Sequence, residues 1–246
     1  MSKNFELLQQ IGKEQEIFRT SVPDREVLGE RIPLAPLPVA AESAGIEEVT
    51  ALVQRVFLLA GSEAPRTVVF AGTEPGNGCT WMCARTGEAL ASQVSGSVCL
   101  VDANLRTPRL HEEFGVANHY GLSDALLKPQ SINGFMAQLF RPNLAMVSCG
   151  GVVEKAQGLL TSNRMSARLA ELRSLFDYVL VDASAKEAVV LGAASDGVVL
   201  VLKANSSRRE TARSAVHELQ AANVKVLGAV LNQRTFPIPE ALYKRL

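Results

Sequence analysis

Six short apolar runs, rich in β-branched residues and separated by helix-length segments, constrain this chain more than any other feature. They fall at 67–71, 98–101, 144–147, 178–181, 197–202 and 224–231. Runs that are apolar throughout belong to strands covered on both faces, and parallel neighbours require long crossovers between them. The pattern predicts an α/β fold: a doubly wound, mostly parallel sheet flanked by helices, with ligands expected where strand C-termini meet helix N-termini. Helices are predicted over 80–93, 162–175 and 207–222, with another over 46–59 leading into the domain. At 246 residues, 47% of them hydrophobic, the chain can bury one substantial core, and a second full domain is not expected.

The expected domain covers residues 44–235. Before it, Phe5, Leu8 and Ile11 recur at helical spacing with Leu7 beside them, giving an amphipathic helix within 1–18. Residues 19–43 carry Pro23, Pro33, Pro36 and Pro38 without a sustained period and read as a linker, and 236–246 read as a tail. Lys+Arg and Asp+Glu both number 25, so no global field favours nucleic acid or an anionic membrane. The apolar runs are far shorter than the roughly 20 residues that span a bilayer. The opening Met1-Ser2-Lys3-Asn4-Phe5-Glu6 lacks the apolar core of a signal peptide, so a cytoplasmic chain is expected. Cys79, Cys83, Cys99 and Cys149 have no metal-type spacing and are expected as thiols, the last three as buried packing.

The first run leads into Gly72-Thr73-Glu74-Pro75-Gly76-Asn77-Gly78-Cys79-Thr80 and then a helix. Strand, glycine-rich turn and helix N-terminus together make a phosphate site, because glycines let backbone N–H groups converge where the helix end adds positive charge. A Walker A loop would also place a lysine on the phosphates and a hydroxyl on Mg²⁺. Thr80 supplies the hydroxyl, while Cys79 stands where the lysine belongs. A tight strand-to-helix turn without a ligand explains the glycines alone equally well. The second run ends at Asp102 and the fourth at Asp182, so two carboxylates are expected at strand ends near the loop. For either one alone, a capping or turn role is the competing explanation.

Taken in order, these stretches resemble the capsular exopolysaccharide family of bacterial tyrosine kinases, relatives of the ParA/MinD ATPases. The resemblance rests on Glu74-Pro75-Gly76-Asn77-Gly78, on Val101-Asp102-Ala103-Asn104-Leu105-Arg106-Thr107-Pro108, and on Gly121-Leu122-Ser123-Asp124-Ala125-Leu126. It continues through Phe176-Asp177-Tyr178-Val179-Leu180-Val181-Asp182 and Val226-Leu227-Gly228-Ala229-Val230-Leu231-Asn232. It implies ATP or ADP in the loop 73–80, Mg²⁺ handled through Thr80, Asp102 and Asp182, and adenine near Asn232. It further implies a tail phosphorylated on tyrosine, a homo-oligomer, and work beside a membrane polysaccharide co-polymerase that controls chain length.

This chain departs from that pattern at Cys79, and Asn104 replaces the second acid of the Asp-x-Asp motif. Ala183-Ser184-Ala185 replaces Thr-Pro-Pro, and residues 152–156 read Val-Val-Glu-Lys-Ala where a proline-rich turn is usual. The helix beginning Glu47-Glu48 and carrying Arg55 lacks the usual arginine spacing, and the tail has one tyrosine, Tyr243, as its possible phosphosite. The expectation is a degenerate kinase-like domain with weak or absent ATP and Mg²⁺ binding, acting as a regulatory partner of the polysaccharide machinery or of an active kinase paralogue. The alternative is a working ATP-dependent tyrosine autokinase.

A third alternative comes from Cys79 and Arg85, which satisfy the Cys-x5-Arg spacing of cysteine phosphatases. Against it, a helix beginning near Cys79 would carry Arg85 almost two turns away from the phosphate position. Trp81 reads as core packing in preference to base stacking. Arg106 and Arg109 follow a strand end, where they face phosphate or a neighbouring subunit, with solvated surface charge an equal alternative. The dispersed His111, His119 and His217 do not suggest a metal site.

Overall fold

A computed structural model of the chain describes residues 47–59, 61–151 and 156–233. The expected N-terminal helix, the proline-containing linker, the tail with Tyr243 and most of the 152–156 turn lie outside these residues.

A helix over 47–53 widens into a π-helical turn, Gln54–Leu58, and buries Val49, Val53 and Phe57. The sheet elements are β1 (Thr67–Gly72), β2 (Val98–Asp102), β3 (Met136–Gln138), β4 (Leu144–Val147), β5 (Tyr178–Ser184), β6 (Gly197–Lys203) and β7 (Val226–Asn232). Counting the entry helix as α1, the later helices are α2 (Cys79–Gln93), α3 (Leu110–Phe114), α4 (Leu122–Leu127), α5 (Ala156–Leu160), α6 (Asn163–Leu175), α7 (Ala185–Ala193) and α8 (Arg209–Ala221). The strands lie in the order β3-β4-β2-β5-β1-β6-β7, parallel throughout except for the β3–β4 pair.

The doubly wound expectation therefore holds, and side-chain alternation shows why the runs are apolar at every position. Val68, Phe70, Val98, Leu100, Leu180, Val199 and Val201 pack with Met82, Cys83 and Leu90 of α2. Their neighbours Val69, Ala71, Cys99, Val101, Val179, Val181, Val198 and Leu200 pack on the opposite face with residues of α4, α6, α7 and α8. Each strand thus feeds two cores, which a period-two polar pattern would forbid. Cys83, Cys99 and Cys149 are buried free thiols, as expected.

Three details differ from the sequence expectation. The edge strand β3 was not anticipated, because Met136-Ala137-Gln138 is short and carries no β-branched residue. It is held to β4 by a hairpin in which Gln138 Nε2 donates to the carbonyls of Arg141, Pro142 and Leu144. The last strand begins at Val226, not 224, because Val224 N still donates to Leu219 O and closes the end of α8. Finally, β5 continues two residues beyond Asp182 to Ser184, so Asp182 lies inside the strand.

Candidate phosphate-binding site

The loop after β1 is shaped by backbone conformations open mainly to glycine. Gly76 and Gly78 have φ of 79° and 77°, and Gly78 is the N-cap of α2. Space closes the same position: a Cβ on Gly78 would lie 2.3 Å from Asn232 Nδ2. The loop is then tied to two other strands. Asn77, only 3% exposed, donates from Nδ2 to Val201 O at 2.7 Å and accepts from Cys79 N at 3.3 Å. Thr73 N also donates to Val201 O, and Asn232 Nδ2 donates to Asn77 O at 2.9 Å. Asn232, expected near adenine, here braces the loop from the end of β7. Among the described residues, Gly76 N and Gly78 N take no part in the backbone bonds that tie this loop to its neighbours.

Two carboxylates lie beside this loop. Asp102 ends β2 and is register partner of Asp182 on β5, and Asp182 is flanked on its other side by Phe70 of β1. Both occupy the strand positions whose neighbours face α2, and both are buried. Asp102 Oδ1 accepts from Asn104 N at 3.1 Å and Oδ2 from Leu110 N at 3.0 Å, which fixes the start of α3. Burial first, and then the neighbouring Asp182 charge, push the Asp102 carboxyl up to about 7. Burial pushes Asp182 up to about 6, opposed by hydrogen bonding to the side chains of Thr80 and Cys79.

The side chain expected to neutralise this pair is absent. Cys79 is buried in the first turn of α2, with Sγ 3.8 Å from Ala183 O. Burial, then the Asp182 charge, raise its thiol well above the ordinary value, so it is neither a cation nor a thiolate at neutral pH. Arg85 does not approach it as a phosphatase would require. Its guanidinium is paired with Glu88 at 2.5 Å and with Glu113 at 3.1 Å. Asn104, in the place of the second acid, accepts from Thr107 N and Thr107 Oγ1 and so serves its own turn. Trp81 is partly buried against the α2-face core.

Whether Mg²⁺ and phosphate suit these residues can be judged from the polar atoms left over. Asp182 Oδ2 and Thr73 Oγ1 are buried with no hydrogen-bond partner among the described residues, a costly state for groups that no ligand meets. The described residues contain no cluster of three or more His, Cys, Asp or Glu able to hold a metal unaided. That suits Mg²⁺, which takes one or two carboxylates plus phosphate oxygens and water. Thr80, Asp102 and Asp182 fit as its holders, and the loop fits as the phosphate cradle.

Sequence reasoning did not anticipate the role of Glu187. It is 5% exposed in the first turn of α7, accepts from Ser184 Oγ and lies 3.9 Å from Arg106 Nε. The one available signal was Ser184-x-x-Glu187 ahead of an apolar stretch, a helix-start pattern.

The fold is shared with a cobyrinic acid a,c-diamide synthase from Mycobacterium smegmatis, which superposes with a TM-score of 0.58 at 19% identity, covering 68% of this chain and 72% of that one. No family model matches the chain. It is 29% identical over 171 residues to the tyrosine-protein kinase YwqD of Bacillus subtilis, covering 68% of this chain and 72% of that protein. It is 30% identical over 183 residues to the succinoglycan biosynthesis transport protein ExoP of Rhizobium meliloti, covering 72% of this chain but only 23% of that protein. The kinase domain of the Escherichia coli tyrosine kinase ETK superposes with a TM-score of 0.72 at 22% identity, covering 88% of this chain and 89% of that domain. The relatives of this chain are thus bacterial tyrosine-protein kinases and a polysaccharide-biosynthesis protein, and a solved kinase domain shares its fold.

Proposed function

We propose that this domain is a degenerate bacterial tyrosine-kinase domain that works by binding, as a cytoplasmic component of exopolysaccharide synthesis and export. The observation that carries this reading is the buried, neutral Cys79 thiol at the position of the phosphate-loop lysine, next to two buried carboxylates. A charge pair about 4 Å apart at an effective dielectric of about 20 is worth on the order of 4 kcal/mol before desolvation. Loss of even half of that, about 2 kcal/mol, weakens triphosphate binding more than tenfold. Phosphoryl transfer depends on positioning and charge stabilisation, so it is impaired further. The partner is a membrane protein of the polysaccharide machinery or an active kinase paralogue. The printed role of the Rhizobium relative in succinoglycan biosynthesis supports that pathway.

When bound, Mg²⁺ would supply charge neutralisation between phosphate oxygens and the site. In this chain Asp182 and Thr80 would orient it, Asp102 would stand behind them, and the backbone of 73–80 would hold the phosphates. The retained Thr80, Asp102 and Asp182 also support the second reading, an active autokinase. Calorimetric titration of Mg-ATP into the unaltered protein and into Cys79→Lys separates the two. Weak or absent heat with the former and saturable binding with the latter is expected. Micromolar binding by the unaltered protein, with label transferred to Tyr243, would favour the autokinase.

A further inference from the structure

The chain between α3 and α4 carries a tyrosine whose phenol is open to solvent. Residues 116–121 have no regular structure there, and Ala117, His119 and Tyr120 are all exposed. Tyr120 is 67% exposed, and its hydroxyl has no hydrogen-bond partner among the described residues. Tyr178, the other described tyrosine, starts β5 and packs its ring edge-on against Phe57 with centroids 6.0 Å apart. The backbone around Tyr120 is held against the end of β4. Ser148 Oγ donates to Tyr120 O at 2.9 Å, Leu122 N donates to Ser148 O at 2.8 Å, and Gly150 N donates to Asn118 Oδ1 at 2.8 Å. A fixed backbone therefore presents a free phenol.

A cation is held against that phenol. Lys128 Nζ lies 5.2 Å from the centroid of the Tyr120 ring and 5.9 Å from that of Phe135. It is also 2.9 Å from Asp124 Oδ1, while Asp124 Oδ2 accepts from Gly121 N at 3.2 Å. Two rings and an anchored carboxylate thus keep an ammonium beside Tyr120, although its side chain is 45% exposed. Contacts as exposed as these add little to stability. Their chemistry is more telling, because an ammonium beside a phenol stabilises negative charge placed on that oxygen. The flexible lysine stem lets the charge follow such a group outward.

Resting on the reading that the partner is an active kinase paralogue, we infer that Tyr120 is a phosphorylation site on the body of the domain, separate from Tyr243, with Lys128 as the cation that meets the phosphate. In the transfer, the Tyr120 phenol oxygen bonds to the γ-phosphorus of Mg-ATP held by that kinase. The bond from this phosphorus to the bridging oxygen breaks, ADP leaves, and the phenolic proton passes to solvent. The product adds about −1.5 to −2 charge at about pH 7 next to the balanced Asp124–Lys128 pair, so this face of the domain becomes acidic.

The test incubates the folded, full-length protein with Mg-ATP and the kinase domain of the Escherichia coli tyrosine kinase ETK, and maps phosphotyrosine by peptide mass spectrometry. Tyr120→Phe, Tyr243→Phe and a mixture lacking the added kinase run in parallel. Phosphate on Tyr120 is expected in the unaltered protein and in Tyr243→Phe. Its absence from Tyr120 would overturn the inference, and if Tyr243 alone is labelled, only with the kinase present, the degenerate reading survives that failure. Phosphate on Tyr120 without added kinase would end the degenerate reading and leave the site standing. A second measurement follows the phosphorylated Tyr243→Phe protein by phosphorus NMR across pH. The second protonation of the phosphate should fall on the order of half a unit lower than in Tyr243→Phe/Lys128→Ala. Equal midpoints would remove Lys128 from the proposal.

Discussion

The two halves of the site, the loop of residues 73–80 and the carboxylates carried by β2 and β5, are built differently. The loop is a backbone frame that meets α2 at the uncharged Cys79. Its shape is held by Gly76 and Gly78 at positive φ and by the bonds from Asn77 and Asn232. Those contacts tie β1 to β6 and β7, so they serve the fold whether or not a ligand is present. The carboxylates are single side chains, buried and with no ion pair among the described residues. Burial pushes the two register-paired aspartates up to about 7 and about 6, with the Asp182 charge adding to the rise at Asp102. Backbone architecture is supported by the whole sheet, whereas electrostatic balance depends on single side chains and is undone by one replacement.

Supplying the missing cation gives the largest expected effect. Cys79→Lys should raise Mg-ATP affinity more than tenfold, about 2 kcal/mol, in calorimetry. No gain would mean that the loop frame is not a phosphate cradle. Next, Asn77→Ala attacks the frame itself. It removes a buried amide that bonds to Val201 O and Cys79 N and should cost about 1–3 kcal/mol in urea unfolding. An unchanged midpoint would show that the loop does not need its tie to β6.

The carboxylate half makes a prediction about pH. Both groups bind protons more tightly in the folded chain, at about 7 and about 6, than at the ordinary aspartate value of 3.8. Folding therefore takes up protons between about pH 4 and 7, and stability contributed by the pair falls as pH rises through that window. Asp182→Asn should melt later than the unaltered protein at pH 8, by on the order of 1 kcal/mol, with a shallower pH dependence. A steeper one would contradict the picture of an unbalanced pair. Thermal melts across pH must allow for Asp196, whose carboxylate is held low by bonds from Thr67 N and Arg66 N and by Arg173. Its contribution is lost at the acid end of the range and has the opposite slope. The smallest effect belongs to Asn104→Asp. Asn104 Oδ1 is engaged by Thr107, and an aspartate would keep that turn. Mg-ATP affinity in the Cys79→Lys background should shift by less than about threefold.

Much of the molecule was legible in the sequence. Six of the seven strands announced themselves as continuous apolar runs, and only β3, three residues without a branched side chain, gave no signal. The loop, its glycines and the thiol in place of a lysine could be read directly. Arg106 and Glu187 could not be connected, because nothing in local sequence says that a loop after β2 will cross the end of β5.

The sequence by itself determined which segments become buried strands, where the glycine loop must turn, and that position 79 carries no charge, because periodicity, backbone freedom and side-chain chemistry are local properties. Tertiary structure alone decided that β5 inserts between β1 and β2 and so sets Asp182 beside Asp102. It also decided that Asn232 reaches the loop and that Glu187 meets Arg106. Strand order follows from how the crossover helices pack on the two faces, and that is a property of the assembled sheet and not of any segment read alone.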